Sequence, residues 1–182
     1  MGYAVELYFD PDTTEKLAAL SGQVYATCGG IDLAGLGFQP HISLAGYPSL
    51  DIDALLPLLS SFAAQTPPLT VKLAAVGVFP TAAGVVYLAP VVTHQLLELH
   101  QRFHQRAEAA GQVSDTYYRV GNWIPHCTMA HDLTPEGVLD AVRLCCQSQR
   151  FVDCRVVGVG LIEYRPVRTL ARYALSSGLK WP

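Results

Sequence analysis

The chain repeats one order of predicted elements, and this repeat limits the folds that it can adopt. Each half reads as a strand, a helix, a strand, a helix and a longer strand. The equivalent strands are offset by 82, 85 and 82 residues, counted from Tyr3 to Val85, from His41 to His126 and from Leu69 to Phe151. Neither half has enough strands for a convincing separate domain. We therefore predict one domain over residues 1–182, with halves of about 1–82 and 83–182 that form two lobes around a pseudo-two-fold axis.

The boundaries of the predicted elements follow from hydrophobic periodicity and from capping and turn residues. The predicted strands span residues 3–9, 41–45, 69–79, 85–89, 124–130, 151–164 and 170–176. The predicted helices span residues 12–27, 52–65, 93–110 and 135–148, with Asp12 or Thr13, Asp51, Thr93 and Thr134 as their N-caps. The last strand lies outside the repeat and closes the chain.

Composition excludes several classes of protein. The chain is 51% apolar and only 15% charged, so it can bury a core and is not disordered. A formal charge of −3 argues against binding long duplex nucleic acid, which requires many contacts from Lys and Arg to phosphates. No apolar run can span a bilayer, and the opening MGYAVELYF lacks the basic region of a signal peptide. The five cysteines form no CxxC pair, so we expect reduced thiols in a cytoplasmic protein. We also expect no association with membranes.

Two short motifs occupy equivalent positions in the repeat. PHISLAG covers residues 40–46 and PHCTMAH covers residues 125–131. Side chains alternate between the two faces of a strand, so the apolar residues of each motif should face the core. The opposite faces should then carry His41, Ser43 and Ala45 in one lobe, and His126, Thr128 and Ala130 in the other.

If the pseudo-axis brings these two faces together, the cleft between the lobes holds two imidazoles and two hydroxyls. A pair of histidines can act as general base and general acid, and each such group typically contributes about 10²–10⁴ in rate. Hydrolysis of a phosphodiester needs both functions, because water loses a proton as it attacks and the departing oxygen gains one. Ser43 and Thr128 could donate hydrogen bonds to the non-bridging oxygens, and this scheme requires no metal.

PHISLA and PHCTMA resemble the paired HxT/S motifs of the 2H phosphoesterases, which include 2′-5′ RNA ligase-like proteins and cyclic phosphodiesterases. The resemblance implies a bilobed α+β fold with antiparallel sheets around a central cleft. It also implies that His41 and His126 are catalytic and that Ser43 and Thr128 bind phosphate. Many relatives have Thr at both hydroxyl positions, and some carry Arg or Lys soon after a motif. Here Ser43, Gly46 and His131 depart from that pattern.

The resemblance and the residues together lead to one expected activity. We expect a phosphodiesterase without metal or cofactor that opens 2′,3′-cyclic phosphates of nucleotides or short RNA ends, with a 2′-phosphate product. We expect the protein to be a monomer. Its partner would be a nucleotide or short RNA that carries either a cyclic phosphate or a 2′-linked phosphodiester. Two alternatives remain open: a non-catalytic module that binds a nucleotide or phosphate, and a 2′-5′ RNA ligase, which runs the reverse chemistry.

Several residues near the motifs are candidates for binding the substrate. Aromatic rings can stack on a base and an arginine can hold a phosphate, which singles out Tyr47, Trp123, Tyr118 and Arg119. An ordinary loop or core position is the alternative for each of them. On the opening strands of the two halves, Glu6 and Tyr87 could also reach the cleft.

Other patterns have simpler interpretations. His100 and His104 lie four residues apart on a helix, but the sequence between them lacks the Glu of a zinc-protease motif, so we predict a solvated helix face. Cys127 should face the core and not act as a nucleophile. The loop CGGIDLAGLG lacks the Lys-Ser/Thr of a P-loop and is predicted to be a mobile flap near the cleft. Near the last hairpin, a solvated surface is predicted for Arg165, Arg168 and Arg172.

Overall fold

A computed structural model describes residues 2–148 and 151–176. This part of the chain has seven strands, four α-helices and a short 3-10 helix. The strands are β1 (Gly2–Phe9), β2 (His41–Tyr47), β3 (Leu69–Val78), β4 (Val86–Pro90), β5 (Cys127–Ala130), β6 (Phe151–Tyr164) and β7 (Arg168–Ala174). The helices are α1 (Pro11–Cys28), α2 (Ile52–Ala64), α3 (His94–Ala109) and α4 (Pro135–Gln147), and the 3-10 helix is Thr116–Tyr118.

All strand pairs are antiparallel and join in one hydrogen-bonded sheet with the order β2-β1-β6-β3-β4-β5, to which β7 adds by pairing with β6. This confirms the predicted duplicated α+β fold. Within each half, the opening strand pairs with the motif strand, as β1 with β2 and β4 with β5. The third strands are exchanged, because β6 pairs with β1 and β3 pairs with β4. Each lobe therefore needs a strand from both halves of the sequence.

The long strand β6 connects the two lobes. Its Val156 pairs with Phe9 of β1 on one side and with Leu69 of β3 on the other. Two residues later, Gly158 pairs with Tyr8 of β1 and with Ala174 of β7. Strands β3 and β7 thus lie end to end along the same edge of β6, opposite β1, and β6 belongs to both lobes.

The helices are exchanged between the lobes in the same way. Helix α1 follows β1 but packs against α4 and β5, whereas α3 follows β4 but packs against α2 and β2. The buried faces match the apolar periodicity: α1 buries Leu17, Leu20 and Val24, as predicted. In the other lobe, Phe62 and Phe103 make an edge-to-face contact with ring centroids 5.4 Å apart. Fully burying side chains of this size stabilises the fold by roughly 1.5–3 kcal/mol each.

Helix starts were predicted well, with one exception. Asp51, Thr93 and Thr134 cap α2, α3 and α4 as predicted, each accepting a hydrogen bond from a backbone N–H three residues ahead. Helix α1 instead begins at Pro11 with Asp10 as its N-cap, so the assignment to Asp12 or Thr13 is wrong. The Asp10 carboxylate accepts hydrogen bonds from the backbone N–H of Thr13 at 3.1 Å and from its hydroxyl at 2.6 Å. Proline is favoured at the first helical position because its fixed φ suits the helix and it has no N–H to leave unpaired.

Strand ends differ from the predictions by a few residues. Strand β2 continues to Tyr47 instead of ending at residue 45, and β5 starts at Cys127 instead of residue 124. Strand β7 covers Arg168–Ala174, two residues earlier than predicted at both ends. None of the helices in the described part of the chain has the length and apolar character that crossing a membrane requires. The five cysteines are free thiols.

The cap of α1 gives a test of the fold. Asp10 also accepts a hydrogen bond from the backbone N–H of Arg155 at 3.2 Å, which ties the start of α1 to β6. We expect Asp10→Ala to lower the free energy of unfolding by about 1–2 kcal/mol, measured by urea denaturation. The control Asp12→Ala should cost only a few tenths of a kcal/mol, because Asp12 lies in the first turn and does not cap the helix. Equal losses from the two variants would contradict the assigned cap.

Candidate active site

A β-bulge in β2 decides which residues of the first motif face the cleft. Tyr8 pairs with His41 and Glu6 with Ser43, but the next pair is Val5 with Ala45, so Leu44 is an extra residue. Paired residues share a face, and Val5 lies on the face opposite Glu6. Ala45 therefore turns into the core, where it is fully buried. The prediction that Ala45 shares the face of the motif histidine and serine is wrong. It assumed strict alternation of side chains along the strand, and the inserted bulge residue interrupts that alternation.

Strand β5 has the same irregularity at the equivalent place. Tyr87 pairs with Thr128 and Val86 with Ala130, which leaves Met129 as the extra residue. Ala130 is buried on the core face, so the corresponding prediction for it is wrong for the same reason. Both lobes thus present a histidine and a hydroxyl residue and then return the chain to the core.

The four motif side chains come together in one cleft of about 550 Å³. His41 and Ser43 line it from β2, and His126 and Thr128 line it from β5. The two strands that carry the motifs also contact each other directly. The floor and walls include Glu6 of β1, residues of the loop 31–40 and residues 164–167 of the last hairpin. The glycine-rich loop accordingly borders the cleft, as predicted.

Both motif imidazoles are held in the same way. Nδ1 of His41 lies 2.7 Å from the carbonyl oxygen of Gln39, and Nδ1 of His126 lies 2.7 Å from that of Ile124. A carbonyl oxygen only accepts hydrogen bonds, so each Nδ1 carries a hydrogen and donates it. Nε2 is then the nitrogen of each ring that is available for proton transfer.

The surroundings of the two Nε2 atoms differ. Nε2 of His41 lies 3.2 Å from Oε1 of Glu6, a carboxyl that is only 3% exposed. The other carboxyl oxygen accepts a hydrogen bond from the hydroxyl of Tyr8 at 2.8 Å. Burial raises the pKa of Glu6, while the charge of His41 and the bond from Tyr8 oppose that rise. Glu6 and His41 therefore share a proton across a short contact.

His126 lies among aromatic rings instead. Its ring centroid is 4.8 Å from that of Phe79 in an edge-to-face arrangement, and 5.2 Å from that of Tyr87. Burial lowers the pKa of His126, the bond to Ile124 opposes this, and charge on His41 lowers it further. The imidazole of His126 is thus favoured in its neutral form.

A buried stack behind β2 supports the first motif. The indole N–H of Trp123 donates to the carbonyl oxygen of Ser43 at 2.9 Å, and its ring stacks on His100 with centroids 4.0 Å apart. Nε2 of His100 in turn donates to the carbonyl oxygen of Tyr118 at 2.8 Å. The prediction that Trp123 binds substrate therefore gains no support from its position, because its ring packs in this stack and does not line the cleft.

His104 completes this support. Its Nε2 donates to the carbonyl oxygen of Leu44, the bulge residue, at 3.1 Å. His100 and His104 are each 2% exposed, so the prediction of a solvated helix face is wrong. Burial lowers the pKa of His100 to about 4 and also lowers the pKa of His104. Two histidines four residues apart lie on one face of a helix, which can be either solvated or buried. The packing of α3 against β2 buries this face.

The other three residues predicted to bind substrate differ in whether they reach the cleft. Tyr118 lines the cleft, whereas Tyr47 is 1% exposed and has no surface on which a base could stack. Arg119 is exposed outside the cleft, and its Nε donates to the carbonyl oxygen of Ser114 at 2.9 Å. Of the four candidates, only Tyr118 lines the cleft.

The Tyr118 ring also explains a departure from the family pattern. A Cβ at Gly46 would lie 2.8 Å from that ring, so Tyr118 fills the room that a side chain at this position would need. At the equivalent place of the second motif, His131 lines the cleft. The basic residue that some relatives carry after a motif is thus replaced by an aromatic ring in one lobe and by an imidazole in the other.

Some cleft residues were missed by sequence reasoning. Leu36 of the glycine-rich loop, Phe38 just after it and Tyr164 of the last hairpin line the cleft, and none of them belongs to a recognisable motif. Arg165 also lines it, while Arg172 is half-buried with its guanidinium 4.5 Å from the centre of the Tyr8 ring. The prediction of a solvated surface for the arginine cluster is therefore wrong at Arg172.

Two alternative chemistries find no support in this geometry. Cys127 is fully buried on the core face, as predicted, and burial raises its pKa to about 12, far from a reactive thiolate. Within residues 2–148 and 151–176, no group of three or more His, Cys, Asp or Glu side chains is arranged to hold a metal ion.

Comparison with known proteins agrees with the motif resemblance. The family model described as the 2′-5′ RNA ligase superfamily matches residues 39–168. LigT of E. coli, crystallised with 3′-AMP, is similar in fold with a TM-score of 0.62 at 15% identity, over 96% of this chain and 98% of LigT. TT0787 of Thermus thermophilus gives 0.65 at 16% identity, over 98% and 100% of the two chains. Usb1 of Kluyveromyces marxianus gives 0.52 at 14% identity, over 93% and 96%. No curated protein sequence matches the chain.

The buried stack predicts how stability depends on pH. The pKa of His100 is lower in the folded than in the unfolded chain, so the unfolded chain binds more protons in the range between about 4 and 6.5. The stability associated with the neutral imidazole of His100 is fully present above pH 6.5 and is lost as the pH falls towards 4. We expect the free energy of unfolding to drop by about 2 kcal/mol from this residue between pH 7 and pH 5.

The variant His100→Gln tests this origin. Its amide can still donate to the carbonyl of Tyr118 but cannot titrate, so the slope of stability against pH should flatten in urea titrations. The exposed His94 provides the control, since His94→Gln should leave the slope unchanged. An unchanged slope in His100→Gln would show that the acid sensitivity arises elsewhere.

Proposed function

Because the chain belongs to the 2′-5′ RNA ligase superfamily, which is a family of 2H phosphoesterases, we propose that it is a phosphodiesterase acting on 2′,3′-cyclic phosphates. The substrates would be nucleotides or short RNA ends, and the product a 2′-phosphate. The reaction would use two histidines as general acid and general base and would need no metal.

One observation carries this proposal. Two imidazoles from equivalent strands line a single cleft, and each has its Nδ1 bonded to a carbonyl oxygen. Proton transfer then falls to Nε2 of each ring, which in His41 lies beside the Glu6 carboxyl. The hydroxyls of Ser43 and Thr128 line the same cleft beside them. Hydrolysis requires a base for the attacking water, an acid for the departing oxygen and hydrogen-bond donors for the phosphate, and these side chains can supply all three.

The proposed step balances without any further reactant. The oxygen of water forms a bond to phosphorus while one imidazole takes a proton from that water. The bond from phosphorus to one ribose oxygen breaks, and the other imidazole gives that oxygen a proton. Ser43 and Thr128 donate hydrogen bonds to the non-bridging oxygens, whose negative charge they stabilise.

The size and charge of the cleft favour a small substrate. About 550 Å³ is the volume of a typical small-molecule site and accommodates one nucleotide. Arg165 is the one Lys or Arg among the described residues that line the cleft, which leaves little positive charge for a long RNA. Structures of LigT hold 3′-AMP, ATP or NADP⁺, and this supports nucleotides as the substrate class here.

Ligation is the second candidate, because the family is described by that activity. Joining a 2′,3′-cyclic phosphate to a 5′-hydroxyl is the reverse of cleaving a 2′-5′ linkage and can use the same acid and base. Incubation with 2′,3′-cyclic nucleotides, 2′-5′ dinucleotides and pairs of RNA ends, followed by product identification, separates hydrolysis from ligation.

Substitution of either motif histidine tests the proposed catalysis. We expect His41→Ala and His126→Ala each to lower kcat for 2′,3′-cyclic AMP by about 10²-fold or more, because each removes one proton-transfer group. His94→Ala is the control, since His94 is exposed outside the cleft and its loss should leave turnover unchanged. EDTA should not change the rate of the wild-type protein. Full activity in either motif variant would contradict the proposal, and a loss with EDTA would replace it with a metal-dependent reaction.

A binding module without catalysis would give a different pattern. Calorimetry with 3′-AMP would then show binding by a wild-type protein that turns over no cyclic phosphate or 2′-5′ dinucleotide. We expect the enzyme to show turnover together with binding of 3′-AMP.

A further inference from the structure

The pseudo-symmetry of the cleft is broken directly beside the two motif histidines. Glu6 of β1 pairs with Ser43, and Tyr87 of β4 pairs with Thr128, so Glu6 and Tyr87 occupy equivalent places in the two lobes. One motif histidine consequently faces a carboxyl group, and the other faces a phenol ring. A scaffold that positions both imidazoles alike thus gives them different electrostatic surroundings.

Glu6 is held firmly in this position. Its carboxyl is 3% exposed, with one oxygen 3.2 Å from Nε2 of His41 and the other accepting from the hydroxyl of Tyr8 at 2.8 Å. The guanidinium of Arg172 lies over the Tyr8 ring, 4.5 Å from its centre. Burial raises the pKa of Glu6, and a positive charge on His41, in direct contact at 3.2 Å, opposes that rise and favours the carboxylate.

His126 has no such partner among the described residues. Its ring is in contact with Phe79 and Tyr87, and the carbonyl of Ile124 already holds its Nδ1. A positive charge on this ring would be desolvated by the surrounding aromatic rings and repelled by a charged His41. The neutral imidazole, with an available lone pair on Nε2, suits these surroundings.

We propose that Glu6 is a positioning residue that assigns the two histidines their roles: it holds His41 as the imidazolium that protonates the leaving oxygen, and His126 acts as the base. This inference rests on the proposed function. In the forward step, water gives a proton to Nε2 of His126 as its oxygen bonds to phosphorus. The bond from phosphorus to the ribose oxygen breaks, and that oxygen takes the proton from Nε2 of His41. Exchange with solvent then returns His126 to its neutral form and His41 to its protonated form.

Two tyrosines and a cysteine among the other titratable groups near this pair stay neutral near neutral pH. Burial raises the pKa values of Tyr8 and Tyr118 above their usual range, and it raises that of Cys127 to about 12. The guanidinium of Arg172 lies over the ring of Tyr8. His131 also lines the cleft, and Tyr87 faces His126.

The variant Glu6→Gln removes the charge while keeping the size of the side chain. Without the carboxylate, the proton that bridges residue 6 and His41 loses one of its two acceptors. The alkaline limb of the profile of kcat/KM against pH should therefore move to lower pH by about one unit. At pH 8 this should lower kcat/KM by about tenfold. The acid limb, which reports protonation of the base, should stay in place. Glu6→Asp retains a carboxylate, so its alkaline limb should move by less than half as much as that of Glu6→Gln.

Glu163→Gln is the matched control. Glu163 is another buried carboxyl on the same sheet, but it lies outside the cleft and is 3.8 Å from Arg168. Its substitution should leave both limbs unchanged. An unmoved alkaline limb in Glu6→Gln would overturn the inference, and a shift of the acid limb instead would reverse the two roles.

NMR titration of the two imidazoles gives a readout that does not depend on activity. In the wild-type protein at the pH of the assay, the Cε1–H resonance of His41 should have the chemical shift of an imidazolium, and that of His126 the shift of a neutral imidazole. The opposite assignment would overturn the inference even if Glu6→Gln does not fold. If the assignment holds but no cyclic phosphate is hydrolysed, the proposed function fails while the electrostatic effect of Glu6 stands.

Discussion

Strand β6 joins the two halves of the chain, because it pairs with β1 and β3 of the first half and also with β7. Its hydrogen bonds to β1 and to β3 make one sheet out of two repeats and leave the motif strands β2 and β5 at opposite ends of that sheet. These two ends nevertheless contact each other. The sheet must therefore curl strongly, which antiparallel sheets do through their twist. The cleft is the space that this curvature leaves between the motif strands.

Two β-bulges convert this architecture into a site. Each lets a histidine and a hydroxyl residue face the cleft and then returns the following alanine to the core. A bulge leaves a backbone group without a partner in the ladder, and a buried carbonyl in that state costs free energy. At Leu44 the carbonyl accepts a hydrogen bond from His104, and Trp123 holds the neighbouring carbonyl of Ser43. Helix α3 and the segment after it thus stabilise the geometry of the first motif from behind.

The duplicated scaffold and the chemistry place opposite demands on the cleft. Symmetry places two equivalent imidazoles, whereas an acid and a base that act in one step must differ in protonation state. The protein has the means to resolve this conflict in the opening strands, where a carboxyl occupies one position and an aromatic ring its equivalent. The asymmetry lies beside the motifs and not within them, since both histidines make the same bond through Nδ1.

Local patterns in the chain were enough to predict the elements of the fold, their duplication and the four motif residues that line the cleft. Apolar periodicity marks buried faces, capping residues mark helix starts, and two HxS/T patterns at equivalent positions are specific enough to identify a pair. Other features could not be predicted from any local pattern. The exchange of third strands, the bulges that turn Ala45 and Ala130 inwards, the burial of His100 and His104 and the contact of Glu6 with His41 all depend on which distant segments pack together. Local sequence sets what a segment can form, but the register and neighbours of that segment are set by contacts made across the whole chain.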